Sequence, residues 1–465
     1  METNILIHHG APVRIRAPQS HEPQLRVTGR GAVHMVSSGS HSVEPGLYSS
    51  HSCVGDMSSV KPRTQRACLF RHICLDTHSA EIFYYVRPNV SQSPVLFDQR
   101  YGHTFSFRHE SPTGTEDFLP LNKHVRYKRH VRWSPVIVEG PPPRDATHLS
   151  ELHMLSAPFV PTNLGHLAWE EAFPLLLAMV QLGVYEERAV VVRTHGCNES
   201  VGEAEPPAVS ERAVCRKFVH GFLRPLQGAG SAAVLTLAEL QAKHKPSARY
   251  VCFRRLLAGG FFDMFNSASH AGKEPFLQLY RHRVLQFHGV DPASPPRSHS
   301  LLLVQKQGRR GIANFEQVQR HLQSGCGGQC TNVPTTVATF HTMSIRRQLA
   351  LVSSATIAVS PPGGVSMVLP FMPEGAVVIL INYMLPHKPE GKPRVQRQSH
   401  SECSGCSWAM EAELWRHIRH IHTLMYQVWQ ADDFANQRPG RDSAVVIKLP
   451  RLSYLVRVAL NTMDF

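Results

Sequence analysis

The stretch from residue 300 to 383 decides the fold, because strand and helix patterns alternate along it. Its apolar, strand-like segments are SLLLVQK (300–306), TTVATF (335–340), TIAVS (356–360) and AVVILINY (376–383). Two segments with helical spacing separate them: FEQVQRHLQ (315–323) and SIRRQLALVSS (344–354). Strands that alternate with helices at this spacing pair in parallel. The stretch therefore predicts half of a doubly wound α/β sheet.

Two unusual turns follow strands of this unit. The basic turn QGRRG (307–311) follows the first strand, and the glycine-rich turn PPGGVSM (361–367) follows the third. In doubly wound sheets, ligands bind beyond the carboxyl ends of the strands, where both turns lie. Lys306 and Arg310 end the first strand and its turn, so their side chains can converge on an anion.

The glycine-rich turn adds backbone donors to this edge. Gly363 and Gly364 have no Cβ atom, so their N–H groups can approach a ligand closely. A helix predicted to begin near Val365 would direct its N-terminal N–H groups to the same place. A nucleotide diphosphate would satisfy these features together, although two glycines can also serve only as a tight connection. The absence of GxGxxG and GxxxxGK[ST] motifs disfavours a dinucleotide-binding fold and a P-loop ATPase.

Several short motifs occur in a fixed order between about residue 65 and 385. The central one is Lys306, Arg310 and Asn314, spaced by four residues after a strand. The others are Cys68–Cys74, Asn163–Glu171, Val251–Phe253 with Gly259–Gly260, a helix with Gln348, the turn Val359–Val365 and Phe371–Gly375. Together they resemble the motifs of glycosyltransferase family 61.

Two departures from the family pattern mark a divergent member. Lys306 stands where the family has an arginine, which keeps the charge but loses the planar fork that suits phosphate. Pro362 stands where the family has a histidine, and Gly363, Gly364 and Val365 replace its Gly-Ala-Gly. The resemblance therefore implies a donor that is bound differently or more weakly than in other members.

The resemblance implies a GT-B-like α/β fold, in which two Rossmann-like domains face a cleft. It implies an inverting transfer of a sugar, N-acetylglucosamine or a pentose, from a UDP-sugar to a hydroxyl of a glycoprotein or polysaccharide. No metal or other cofactor is expected. The donor-binding residues would be Lys306, Arg310, Asn314, Gly363, Gly364 and Val365. A catalytically inactive descendant that binds nucleotide sugar or glycan is the alternative.

An upstream motif supplies candidates for the general base. His166 and Glu170 are four residues apart, so on a helix they share one face. We expect Glu170 to take the acceptor proton, His166 to position donor or acceptor, and Asn163 to help position the acceptor. The alternative is that His166 only caps or packs this helix while Glu170 is solvated.

The strongly basic charge admits a nucleic-acid hypothesis. The chain has 49 Lys and Arg against 35 Asp and Glu, a net charge of +14. The densest cluster, residues 123–133, interleaves basic and aromatic residues and could follow a phosphate backbone. Its alternation also fits a solvated edge strand protected from aggregation by charge. No nucleic-acid partner is expected.

The ten cysteines bear on the compartment. Cys68 with Cys74, Cys326 with Cys330, and Cys403 with Cys406 form close pairs, which fit local disulfides of a secretory protein better than a zinc site. Asn89 and Asn198 begin glycosylation sequons. The family works in the lumen of the endoplasmic reticulum or Golgi, yet no signal or membrane span is visible. Membrane association would need a missing N-terminal anchor.

We expect four regions along the chain. Residues 1–62 are predicted to be disordered. A Rossmann-like acceptor-side domain would occupy 63–290, and a Rossmann-like nucleotide-sugar-binding domain would occupy 291–390. Residues 391–465 would form a loop and a C-terminal helix over 408–430 that packs across the domain junction.

Overall fold

The fold is given by a computed structural model that describes most of the chain. The described residues are 48–55, 66–88, 135–156, 158, 162–185, 189–198, 208–227, 234–259, 272–294, 296–328, 330, 333–383, 415, 418–428, 431–436 and 443–463. The basic cluster at 123–133, Cys403, Cys406 and Asn89 lie outside this part of the chain.

Two sheets, both rich in parallel pairs, organise the described residues. The strands of the first are β1 Ser50–Gly55, β2 Arg66–Arg71, β3 Ile73–Asp76, β4 Ile82–Val86, β5 Val136–Glu139, β6 Thr147–Ser156, β7 Val190–Arg193, β8 Leu235–Thr236 and β9 Tyr250–Gly259. Their order is β5-β4-β3-β9-β6-β7-β8, and β2 pairs with both β1 and β9. The long strand β9 is parallel to β6 on one side and antiparallel to β3 and β2 on the other.

The second sheet is parallel at every pairing. Its strands are β10 Leu301–Val304, β11 Thr335–Ala338, β12 Ile357–Ser360, β13 Ala376–Tyr383 and β14 Ile421–Val428, in the order β11-β10-β12-β13-β14. Each pair is parallel. The predicted βαβ unit is therefore confirmed in strand positions and direction. The mixed α/β architecture is consistent with two Rossmann-like domains.

Seven helices of the described segments cover the sheets. They are α1 over 164–181, α2 Val209–Phe218, α3 Leu237–His244, α4 Glu274–Phe287, α5 Phe315–Gln323, α6 Ile345–Ser354 and α7 Leu449–Thr462. The α5 helix has the bounds that its spacing predicts, and α6 begins after Ser344, whose side chain accepts a bond from the Arg347 N–H. None of the described helices is both long and apolar enough to cross a membrane.

One apolar cluster connects the two sheets. Its buried residues include Leu257 of β9 and Leu302 of β10. At its centre Trp169 of α1 packs on Tyr280 of α4 (ring centroids 5.4 Å apart) and on Phe371 after β12 (5.6 Å). Aromatic rings bury large apolar areas, so this cluster fixes α1 against the turn that follows β12.

The prediction of disorder over residues 1–62 is wrong for the strand at Ser50–Gly55, which the structure describes. Ser50–Gly55 forms β1, which pairs antiparallel with β2 along its whole length. A disulfide between Cys53 and Cys68 joins the same two strands. Pairing and a covalent cross-link order this segment, which its Ser- and His-rich composition concealed.

The predicted helix over 408–430 is also wrong where the structure describes it. Ile421–Val428 is β14, which pairs with β13 over eight residues. Ile421 and Val428 fit both a helical and a strand period, but the burial of Leu424, Tyr426 and Val428 alternates as in a strand. The C-terminal helix is instead α7, whose apolar face packs in the core of the second sheet.

All eight cysteines of the described residues form disulfides. The pairs are Cys53–Cys68, Cys74–Cys252, Cys197–Cys215 and Cys326–Cys330. Only the last follows the close spacing in the sequence, because Cys68 and Cys74 each bond to a neighbouring strand instead of to one another. Four disulfides indicate an extracytoplasmic protein.

Two histidines, the buried His420 and the half-buried His51, should make the fold sensitive to acid. His420 donates from Nε2 to the Pro370 carbonyl (2.9 Å), and burial lowers its pKa to about 3. Burial also lowers the pKa of His51 to about 4. Below pH 6.5 both imidazoles are therefore protonated in the unfolded chain, whereas in the folded chain they stay neutral until the pH is much lower. We expect each histidine to lower the free energy of unfolding by about 1.4 kcal/mol per pH unit between about pH 6 and 4.

Denaturant unfolding at several pH values tests this expectation. In His420→Gln the free energy of unfolding should depend less steeply on pH, because the contribution of His420 is gone. His422→Gln is the matched control, because it removes an exposed histidine from the adjoining strand β14. A wild-type slope in His420→Gln would contradict the assignment.

Candidate functional site

The loops after β10, β11 and β12 meet at the carboxyl edge of the second sheet. These strands are neighbours, with β10 between the other two. Gln305 follows β10 and accepts a bond from the Thr339 hydroxyl after β11 (2.9 Å). The basic turn and the glycine-rich turn therefore stand side by side, as their positions in the sequence indicate.

Two cationic side chains converge on the glycine-rich turn. Lys306 Nζ donates to the Pro362 carbonyl (2.5 Å). A Cβ atom on Gly363 would lie 2.6 Å from Lys306 Nζ and 3.7 Å from Arg310 Cζ, so the ammonium and guanidinium groups lie close to the same backbone atom. Gly363 also has a φ of +116°, which residues with a side chain rarely adopt. Two positively charged groups therefore lie next to a stretch of backbone that has no side chain to keep a ligand away.

The local backbone explains how the basic turn folds back. Gly308 and Arg310 have φ values of 75° and 62°, in the left-handed region. At Gly311 a Cβ atom would lie 2.7 Å from the Lys306 carbonyl oxygen, so only glycine fits there without a shift. The tight turn returns the Arg310 side chain toward Gly363.

The helix predicted near Val365 is shorter and tighter than expected. Ser366–Phe371 forms a six-residue 3₁₀ helix that contains Pro370 and is buried throughout. The Ser366 N–H and hydroxyl both bond the Gly363 carbonyl (2.9 and 2.6 Å). A short helix of this kind has a weaker dipole than the α-helix expected from the sequence, so Lys306 and Arg310 carry most of the positive charge at this edge.

Asn314 lies in a different environment from the two cations. Its Nδ2 donates to the Ile447 carbonyl (2.9 Å), and its Oδ1 accepts from the Ile447 N–H (2.8 Å). The two ends of the amide thus hold the start of α5 against the segment that leads to α7. The described contacts give Asn314 a supporting role beneath the basic turn.

His166 and Glu170 lie together on the first turns of α1. Residues Leu167–Ala172 of this helix form a π-helical turn, a feature that often occurs at functional sites. His166 Nδ1 is hydrogen-bonded to Glu170 Oε2. The side chain of Glu170 is 6% exposed and that of His166 is 18% exposed. The alternative of a solvated Glu170 is therefore wrong, and the two side chains act as a pair.

The start of α1 packs directly on the glycine-rich turn. Asn163 caps α1, since its Oδ1 accepts from the Gly165 N–H (2.9 Å), and the same oxygen would lie 3.2 Å from a Cβ atom on Gly364. A Cβ atom on Gly165 would lie 2.9 Å from Met367 Cγ. Trp169 Nε1 donates to the Met367 carbonyl (2.9 Å). These contacts hold the helix that carries the His166–Glu170 pair against the same turn that Lys306 and Arg310 approach.

The sequence did not reveal a buried ion pair next to this site. Arg193 donates to both carboxylate oxygens of Glu171 (2.7 and 3.1 Å), and the Ser156 hydroxyl donates to Oε1 (2.8 Å). A Glu-Glu sequence in an otherwise apolar helix was the available signal. No group of three or more metal-ligating side chains comes together within the described segments.

A family model matches the region that contains the basic turn and the glycine-rich turn. Residues 218–379 match the family model described as Glycosyltransferase 61, a region that includes Lys306, Arg310 and Gly363. Among solved structures, the chain is similar to an iron-containing dodecameric glycosyltransferase, TibC, from enterotoxigenic E. coli H10407. That match has 13% identity and a TM-score of 0.24, and covers 53% of this chain and 62% of TibC. No curated protein matches the chain. The similarity to glycosyltransferase family 61 is therefore confined to residues 218–379.

Proposed function

We propose that the protein transfers a sugar from a UDP-sugar to an acceptor hydroxyl, with inversion and without a metal. The observation that carries the proposal is the convergence of Lys306 and Arg310 on Gly363, inside the region that matches the family. N-acetylglucosamine or a pentose is the sugar, and a glycoprotein or polysaccharide in the lumen of the endoplasmic reticulum or Golgi is the acceptor.

The edge of the second sheet formed by Lys306, Arg310 and the glycine-rich turn, called the donor edge below, suits a diphosphate that leaves with increasing negative charge. Lys306 supplies a point charge, and Arg310 supplies a planar fork that can bind two phosphate oxygens. The backbone of Gly363, Gly364 and Val365 lies next to both. Preorganised charge at the leaving group lowers the barrier because it binds the transition state more tightly than the donor. Asn314 supports this turn from below.

The His166–Glu170 pair supplies the base. The sequence favours Glu170, but its carboxylate is buried and bonded to His166 Nδ1. His166 is the more exposed of the two, so it can reach an acceptor hydroxyl with Nε2 while Glu170 holds the ring and stabilises its cation. We therefore assign the proton transfer to His166 and the positioning of the imidazole to Glu170.

The packing of α1 against the glycine-rich turn suits a single displacement. Inversion needs a base on one face of the sugar and the leaving group on the other. Asn163, at the start of α1, lies against Gly364, which is next to the glycine that Lys306 and Arg310 approach. We place the sugar and the acceptor between these elements. An acceptor bound there would approach the sugar from the side opposite the diphosphate, and Asn163 lies at its edge.

An inactive descendant that only binds nucleotide sugar is the second candidate. Pro362 replaces the family's histidine, and its carbonyl occupies a hydrogen bond of Lys306. Both candidates bind the donor, so only turnover separates them.

The experiment is a panel of nucleotide sugars, measured for binding and for nucleotide release with acceptor mixtures. We expect one UDP-sugar to bind and to release UDP when an acceptor is present. Activity should survive a strong chelator, because Lys306 and Arg310 would supply the positive charge that a metal ion supplies to the diphosphate in metal-dependent enzymes. Restoration of a chelated, inactive sample by Mn²⁺ would contradict metal independence, and tight binding without UDP release would favour the inactive descendant.

A further inference from the structure

The π-helical turn of α1 is held by three consecutive side chains that point to three different partners. Trp169 bonds the Met367 carbonyl of the donor edge, Glu170 bonds His166, and Glu171 bonds Arg193. Successive residues of a helical turn point in different directions around its axis, so one short turn can reach all three. The proposed base is thus attached on one side to the second sheet and on the other to the first.

The attachment to the first sheet is a fully buried ion pair. Glu171 and Arg193 side chains are each 2% exposed. Ser156 ends β6 and Arg193 ends β7, so the carboxylate of Glu171 bonds the carboxyl ends of two adjacent parallel strands. A buried carboxylate that accepts three bonds cannot move without leaving charges unpaired, which makes this contact rigid.

The surroundings of Arg193 further restrict the guanidinium. Its Nη1 lies 3.9 Å from both sulfur atoms of the Cys197–Cys215 disulfide, on the side away from Glu171. The Tyr280 ring packs on Trp169, and burial together with the charge of Glu171 raises the pKa of the Tyr280 hydroxyl. The Glu171 carboxylate is therefore paired with a guanidinium whose position is fixed by its surroundings.

We infer that Glu171 is a positioning residue for the transfer reaction, which holds the His166–Glu170 pair at its place beside the donor edge through Arg193 and Ser156. The inference rests on the proposed function, because it assigns Glu171 a part in keeping that base in place. Glu171 itself touches neither donor nor acceptor. Misplacement of a base by even 1 Å can reduce a rate by about 10²-fold.

The test compares Glu171→Gln with Asp433→Asn in the transfer assay. Asp433 is a matched control, because it is a fully buried carboxylate that follows β14 and pairs with Arg451 of α7. Glu171→Gln should lower kcat at least tenfold with UDP affinity unchanged. Because Arg193 is then uncompensated, the acid limb of the kcat/KM pH profile should move to lower pH. Asp433→Asn should lower the melting temperature without moving that limb.

A milder variant keeps the test decisive if Glu171→Gln does not fold. Ser156→Ala removes one bond to the carboxylate and should lower kcat about threefold, with UDP affinity again unchanged. Wild-type kcat and pH profile in Ser156→Ala or in folded Glu171→Gln, while His166→Gln is inactive, would overturn the positioning role alone. Full activity of His166→Gln would instead overturn the proposed base, and the positioning role with it.

Discussion

Arg310→Ala should weaken the binding of UDP-sugar by roughly 10- to 100-fold. A charge-assisted hydrogen bond to phosphate contributes about 1.5–3 kcal/mol, and each 1.4 kcal/mol corresponds to a factor of ten. The Arg310 guanidinium lies beside Gly363, where the diphosphate would bind. Turnover should fall further than affinity, because the charge on the leaving group grows in the transition state. Calorimetric titration and steady-state kinetics measure the two effects.

The neighbouring arginine provides the control for this change. Arg309 belongs to the same turn but is exposed, so Arg309→Ala should change affinity much less. Lys306→Arg restores the residue of the family pattern and its fork, so donor affinity should hold or improve. If Arg310→Ala bound UDP-sugar as tightly as the wild type, the donor site would lie elsewhere.

His166→Gln should reduce turnover by about 10²–10⁴-fold while donor affinity stays nearly constant. Glutamine retains a polar side chain of similar size but cannot take the acceptor proton at neutral pH. Glu170→Gln should have a smaller effect on turnover, because the imidazole remains while the charge that stabilises its protonated form is lost. For both variants, kcat measures turnover and titration with UDP measures donor affinity.

His341→Gln is the matched control for the base. His341 is an exposed histidine after β11, and its replacement should leave turnover unchanged. A His166→Gln protein that folds and binds UDP yet turns over normally would remove His166 from the mechanism. A larger loss in Glu170→Gln than in His166→Gln would return the proton transfer to Glu170.

The sequence predicted the second sheet well because strands and helices alternate there without ambiguity. The apolar runs at 301–304, 357–360 and 376–383 are too short for helices and are separated by amphipathic segments. The fifth strand was missed, since the apolar residues of Ile421–Val428 fit a helical stripe as well as a strand. Pairing with β13, a contact distant in sequence, decides between the two.

The sequence indicates which residues of the candidate site share one edge better than it indicates their contacts. The order of turns on parallel strands places Lys306, Arg310 and Gly363 at one edge, so their convergence follows from topology. The contacts of Asn314 and Glu171 could not be predicted from the sequence, because their partners are Ile447 and Arg193, 133 and 22 residues away. The π-helical turn, which depends on tertiary contacts on both sides of α1, was equally invisible.

The most direct test measures UDP affinity and UDP release from the donor in the same samples of wild type, Arg310→Ala and His166→Gln. We expect Arg310→Ala to lose both affinity and turnover, whereas His166→Gln should bind UDP as the wild type does and lose only turnover. This separation would place donor binding on the second sheet and the base on α1. Turnover retained by His166→Gln together with unchanged affinity in Arg310→Ala would exclude both assignments.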